Sequence, residues 1–98
     1  MKFIDNRKGS ELERFARWFH QDFRMQYPEA DEFAFEYFRS LSIQRRRALG
    51  AELGSLLEQW PGRNGKGLRN AWVRLGAHWS ERGPALRSRL SKWIEELQ

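Results

Sequence analysis

Leu12, Phe15, Ala16, Phe19 and Phe23 stand at i, i+3, i+4, i+7 and i+11, a spacing that gathers them on one face of an α-helix and scatters them over both faces of a strand. The same period returns along the chain. Ala30, Phe33, Ala34, Tyr37, Phe38 and Leu41 carry it a second time, and Leu49, Leu53, Leu56, Leu57 and Trp60 a third. Leu68, Ala71, Trp72, Leu75 and Trp79 make a fourth stripe, and Leu86, Leu90, Trp93, Ile94 and Leu97 a fifth. No segment alternates apolar and polar residues for long enough to make a strand, and no internal repeat appears. Each stripe needs a partner surface, and 98 residues suffice for one core but not for two. The expectation is an all-α, compact single-domain bundle of about five helices, with residues 1–9 as an N-terminal extension.

Local signals place the helix ends. Ser10 and Glu13 have the capping-box spacing, in which a hydroxyl and a carboxylate satisfy backbone N–H groups of the first turn. The first helix is predicted from about Glu11 to Met25, stopping near Tyr27-Pro28 because proline disfavours helical geometry in the residue before it. Pro28 can open the second helix, whose first turn collects Glu29, Asp31 and Glu32 at the positive end of the helix dipole. Ser42 offers an N-cap to the third helix, which ends at Pro61-Gly62 and contains Gly50 and Gly54; each costs roughly 1 kcal/mol against alanine, which close approach of a neighbouring helix would compensate. Residues 61–67, with three glycines and an Asn-Gly pair, form the clearest loop, and the fifth helix begins around Gly83-Pro84.

The chain offers little for catalysis. It has no cysteine, which removes disulfides and thiolate chemistry and fits a reducing compartment. His20 and Asp22 would point roughly 200° apart on a helix, so they make no acid–base pair. His20 and His78 are the only histidines, and neither has a second ligand at i+3 or i+4, so no metal and no cofactor is expected. The glycine-rich loop is not a phosphate-binding P-loop, because Lys66 is followed by Gly67 and no strand precedes it. The N-terminus lacks the apolar stretch of a signal peptide, and no uncharged apolar run approaches the ~20 residues of a membrane span. These features predict a cytoplasmic binding protein and not an enzyme.

Charge suggests what it binds. Net charge is +5, and all of the excess lies beyond Ser40: seven Lys/Arg against eight Asp/Glu before that point, eleven against five after it. Such asymmetry points to an anionic partner for the C-terminal part or to distinct faces for one protein partner. Arg45-Arg46-Arg47, Arg63, Lys66, Arg69 and Arg74, with Trp72 among them, have the basic and aromatic mix of nucleic-acid binders. An arginine run at a helix start winds around the surface, however, and Trp72 lies in an apolar stripe. A basic nucleic-acid-binding protein is therefore the alternative reading, and no direct nucleic-acid contact is expected.

Trp18-Phe19-His20-Gln21-Asp22-Phe23, at the end of the first predicted helix, resembles the [YW]-F-H-Q-D-[FW] signature of the small helical immunity proteins of bacterial contact-dependent growth inhibition systems. The acidic run from Pro28 to Phe33, the helix segment from Ala51 to Leu57, and Leu75-Gly76-Ala77 with Trp79 extend the similarity from about Glu11 to Leu97. The first motif is moderately specific and the later ones are ordinary helix sequence. The resemblance implies a protein that binds the cognate C-terminal toxin domain in the cytoplasm and blocks it; many such toxins are nucleases. Carboxylates standing in for phosphates would then place Asp22, Glu29, Asp31, Glu32 and Glu36 at the toxin interface, with Tyr27 and Phe35 as apolar anchors. The net positive charge departs from this picture and offers a second face, on which Arg63, Lys66 and Arg69 grip an acidic surface.

Overall fold

The structure, a computed structural model, describes residues 9–19, 29–61, 66–77 and 81–98. They are all-α, with five helices and no strand among them: α1 (Glu11–Arg17), α2 (Ala30–Arg39), α3 (Ile43–Gln59), α4 (Lys66–Arg74) and α5 (Gly83–Leu97). Helices α3 and α5 form the centre of the bundle: α5 packs against α2, α3 and α4, and α3 packs also against α1 and α4. The Cα radius of gyration, 12.6 Å, is that of a compact chain of this length.

The predicted stripes supply the core. Leu12, Phe15 and Ala16 of α1, Phe33, Ala34, Tyr37 and Phe38 of α2, and Leu49, Leu53 and Leu56 of α3 are buried, as are Leu68 and Trp72 of α4 and Leu86, Leu90, Trp93 and Leu97 of α5. Phe15 sits at the centre. Its ring centroid lies 5.2 Å from Tyr37, 5.4 Å from Phe38 and 5.4 Å from Trp93, so one side chain of α1 joins α2 to α5. Phe19 stacks on Trp93 at 5.6 Å and meets Phe33 edge-on at 4.8 Å. Aromatic pairs in these geometries add about 0.5–1.5 kcal/mol each beyond the area they bury. Trp18, off the best apolar stripe, is half-buried against this core.

Several ends depart from expectation. Helix α1 closes at Arg17, because the N–H groups of Trp18 and Phe19 donate to Phe15 and Ala16 in tight i→i+3 bonds of 3.1 and 3.0 Å that end the α-helical ladder. The remainder of the predicted first helix, with Phe23, lies outside the described residues. Ser10 caps α1 as expected, its hydroxyl accepting from the Glu13 N–H at 3.1 Å. Glu29 occupies the N-cap of α2, one step before the first turn, and its side chain makes no capping bond. Ser42 caps α3 by accepting from the Arg45 N–H at 3.2 Å. Trp60, expected on the buried face of α3, is 37% exposed, since the helix stops at Gln59 and its ring turns against Gly67 instead of the core. Lys66 and Gly67, assigned to the loop, form the first turn of α4, where backbone N–H groups need no helical partner and glycine is tolerated.

Glycine has a different role from the one expected. A Cβ at Gly50 would meet the Leu97 Cβ at 3.7 Å, an ordinary contact, and at Gly54 it would meet nothing within 4 Å. Neither glycine is required by helix approach. Gly76 is: with φ +112° it reverses the chain after α4, its N–H donating to Val73 at 3.0 Å.

Among the described residues no helix is long and apolar enough to cross a membrane.

Candidate functional site

The acidic segment at the start of α2 divides once it is folded. Glu29 and Glu32 face solvent, but Asp31 turns inward onto α5. Its Oδ1 accepts from the Arg89 guanidinium and from the Trp93 indole N–H, both at 2.8 Å, and its Oδ2 accepts from Lys92 Nζ at 2.8 Å. The indole therefore keeps a partner inside the core, and a carboxylate becomes the clasp between α2 and α5. Burial pushes the Asp31 carboxyl up, yet the hydrogen bonds from Lys92, Trp93 and Arg89 outweigh it and hold the group below the ordinary aspartate range. Arg89 also pairs with Glu81, which anchors the residues just before α5.

Phe35 and Glu36 are half-buried on the same helix. The Phe35 ring packs 6.3 Å from Phe38 and lies beneath Lys92 Nζ, 5.7 Å from the centroid, so a cation already covers it. Asp22 and Tyr27, the other residues expected on this face, lie outside the described residues. What α2 leaves open is a pair of carboxylates, Glu29 and Glu32, beside the cations that hold Asp31.

The arginine run at the start of α3 has structural work. Arg45 forks onto Glu11 of α1 with bonds of 3.0 to 3.2 Å, and this pairing raises its already high pKa. Arg46 reaches back to the Phe38 carbonyl at 2.8 Å, satisfying the last turn of α2. Arg87 of α5 does the same for α3 by donating to the carbonyls of Leu57 and Trp60. Arg47 is exposed. Trp72 is fully buried. Three of the residues that suggested a nucleic-acid surface, Arg45, Arg46 and Trp72, thus hold the bundle together.

The remaining cations gather elsewhere. Lys66 and Arg69 of α4, with Arg82, Gly83 and Pro84 at the start of α5, line an open cleft of about 370 Å³. Lys66, Arg69 and Arg82 are all exposed, and no hydrogen bond or ion pair joins Arg69 or Arg82 to another side chain among the described residues. Arg63, expected beside them, lies outside the described residues. Val73 on the outer side of α4 is 47% exposed, and Trp60 rests against Gly67 near the same helix start. Sequence reasoning found Lys66 and Arg69 but missed Arg82, Val73 and Trp60. Arg82 precedes a Gly-Pro helix start, a position that keeps a side chain at the surface; Val73 is the apolar residue that falls off the fourth stripe.

Among the described residues no group of three or more His, Asp or Glu side chains is placed to hold a metal ion, and His20 and His78 lie outside them. Compared with known proteins, the chain matches no family model, no curated protein and no solved structure.

Proposed function

We propose that this chain is an immunity protein of a bacterial contact-dependent growth inhibition system, which binds the cognate C-terminal toxin domain in the cytoplasm and neutralises it without catalysis. The family reading rests on the signature Trp18-Phe19-His20-Gln21-Asp22-Phe23 and on the similarity that runs to about Leu97. The observation that carries the binding role is the division of labour among charged side chains. Glu11 with Arg45, Asp31 with Arg89 and Lys92, and Glu81 with Arg89 tie helices and their flanks together, while Arg69 and Arg82 stand open on a cleft between α4 and the start of α5. A packed helical frame that presents its contact surface already formed incurs little ordering cost on binding.

The alternative, a basic nucleic-acid-binding protein, loses support from the burial of Trp72 and the internal pairing of Arg45 and Arg46. Arg47, Lys66, Arg69 and Arg74 are exposed on two different helices, and phosphate binding gains most from a continuous basic track.

The test is genetic and direct. The toxin domain encoded by the upstream neighbouring gene is expressed with and without this chain; growth arrest relieved by co-expression supports the reading. Arrest that persists at equal protein levels, with no complex on size-exclusion chromatography, refutes it.

A further inference from the structure

Helix α4 turns Leu68, Ala71 and Trp72 to the core, and the opposite side carries Lys66, Arg69, Asn70 and Val73. At 100° per residue these four outer residues span about 100°, so they form one continuous strip. Arg82 and Pro84 wall the cleft from the side of α5, and Trp60 rests against Gly67 in the first turn of α4. The geometry points to this cleft as the contact surface for an acidic segment of a protein partner, in which Asp or Glu side chains meet Lys66, Arg69 and Arg82 and an apolar residue seats on Val73. The assignment rests on the immunity reading and names the face on which that reading acts.

Two features favour a protein over a nucleic acid. Val73, one turn beyond Arg69 on the same strip, is an aliphatic side chain 47% exposed, which a phosphate backbone has no means to bury and a protein partner does. An exposed tryptophan against the first turn of the same helix, Trp60 on Gly67, is also a residue type of interface hot spots. Charge complementarity selects the acidic segment. The C-terminal part of the chain carries the whole excess of positive charge, whereas the acidic side of α2 has one of its carboxylates, Asp31, engaged by α5.

The experiment compares charge reversals on the two faces. Arg69→Glu with Arg82→Glu is expected to weaken binding of the purified toxin domain about a hundredfold and to abolish growth rescue, while circular dichroism matches the parent. Glu29→Lys with Glu32→Lys should bind within about threefold. Binding by the Arg69/Arg82 variant within about threefold of the parent overturns the cleft and leaves the immunity reading standing. Should the double variant fail to fold, the single changes Arg69→Gln and Arg82→Gln decide the same question, each expected to weaken binding about tenfold. If the parent chain itself does not bind the toxin domain, the immunity reading fails, and amide shifts decide the cleft. Titration with the blocked peptide Glu-Asp-Leu-Glu-Glu-Leu should move the amides of residues 66–73 and 82–85. Absence of those shifts, or shifts there only with a short DNA duplex, overturns the proposal.

Discussion

Replacing Asp31 with alanine removes the carboxylate that accepts from the buried Trp93 indole and joins α2 to α5. The Trp93 ring is fully buried, and its N–H reaches Asp31 Oδ1 at 2.8 Å. An unsatisfied buried donor costs about 1–3 kcal/mol. The ion pairs with Arg89 and Lys92 are partly exposed, the Lys92 side chain by 56%, so they add no more than about 1 kcal/mol. The expected loss is about 2–3 kcal/mol, or a fall in Tm of roughly 10 °C or more for a domain of this size. Urea unfolding followed by tryptophan fluorescence and far-ultraviolet circular dichroism measures it. Asp31→Asn keeps an acceptor for the indole and should lose only about 1 kcal/mol. An alanine variant within about 0.5 kcal/mol of the parent would refute the clasp, and equal losses for alanine and asparagine would move the effect from the indole to the charge. The acid limb follows from the same contacts. Because the folded pKa lies below the unfolded one, the carboxylate's contribution is complete above about pH 5 and fades as pH falls through about 4 towards the depressed folded value. Asp31→Asn should flatten stability over that window.

Three further substitutions probe the backbone. Gly54→Ala adds a methyl group where nothing lies within 4 Å and should stabilise α3 by about 0.5–1 kcal/mol in urea unfolding; a loss at this site would contradict the open space. Gly76→Ala forces a side chain to φ +112° with its Cβ 3.0 Å from Arg17 Cγ, and should cost more than about 1 kcal/mol by the same assay. Ser42→Ala deletes the cap of α3 and should cost about 1 kcal/mol, with a matching small drop in Tm.

Helical class and core were legible because the 3.6-residue period is a local property: Phe15, Phe38, Leu53, Leu68 and Leu90 are buried where their stripes place them. Caps at Ser10 and Ser42 were legible for the same reason, each depending on residues three apart. The early stop of α1 was not, since Leu12, Phe15, Ala16 and Phe19 keep the same face whether the chain continues as a helix or tightens at Trp18. Nor was the engagement of Asp31, whose partners lie 58 to 62 residues away. The inner roles of Arg45 and Arg46 depend on Glu11 and on the end of α2, contacts that exist only after the helices have packed. Of the candidate surfaces, Lys66 and Arg69 could be read from composition, but the cleft they share with Arg82 is made by bringing the start of α5 against α4.

If this fold acts by binding a protein, as we propose, the purified chain recognises the toxin domain. Isothermal titration of the purified chain with the toxin domain of the neighbouring gene tests it most directly. A saturable complex of one chain per toxin domain is expected, with an affinity that falls moderately as salt rises. No heat of binding to that domain, together with tight and steeply salt-dependent binding to duplex DNA, would contradict it.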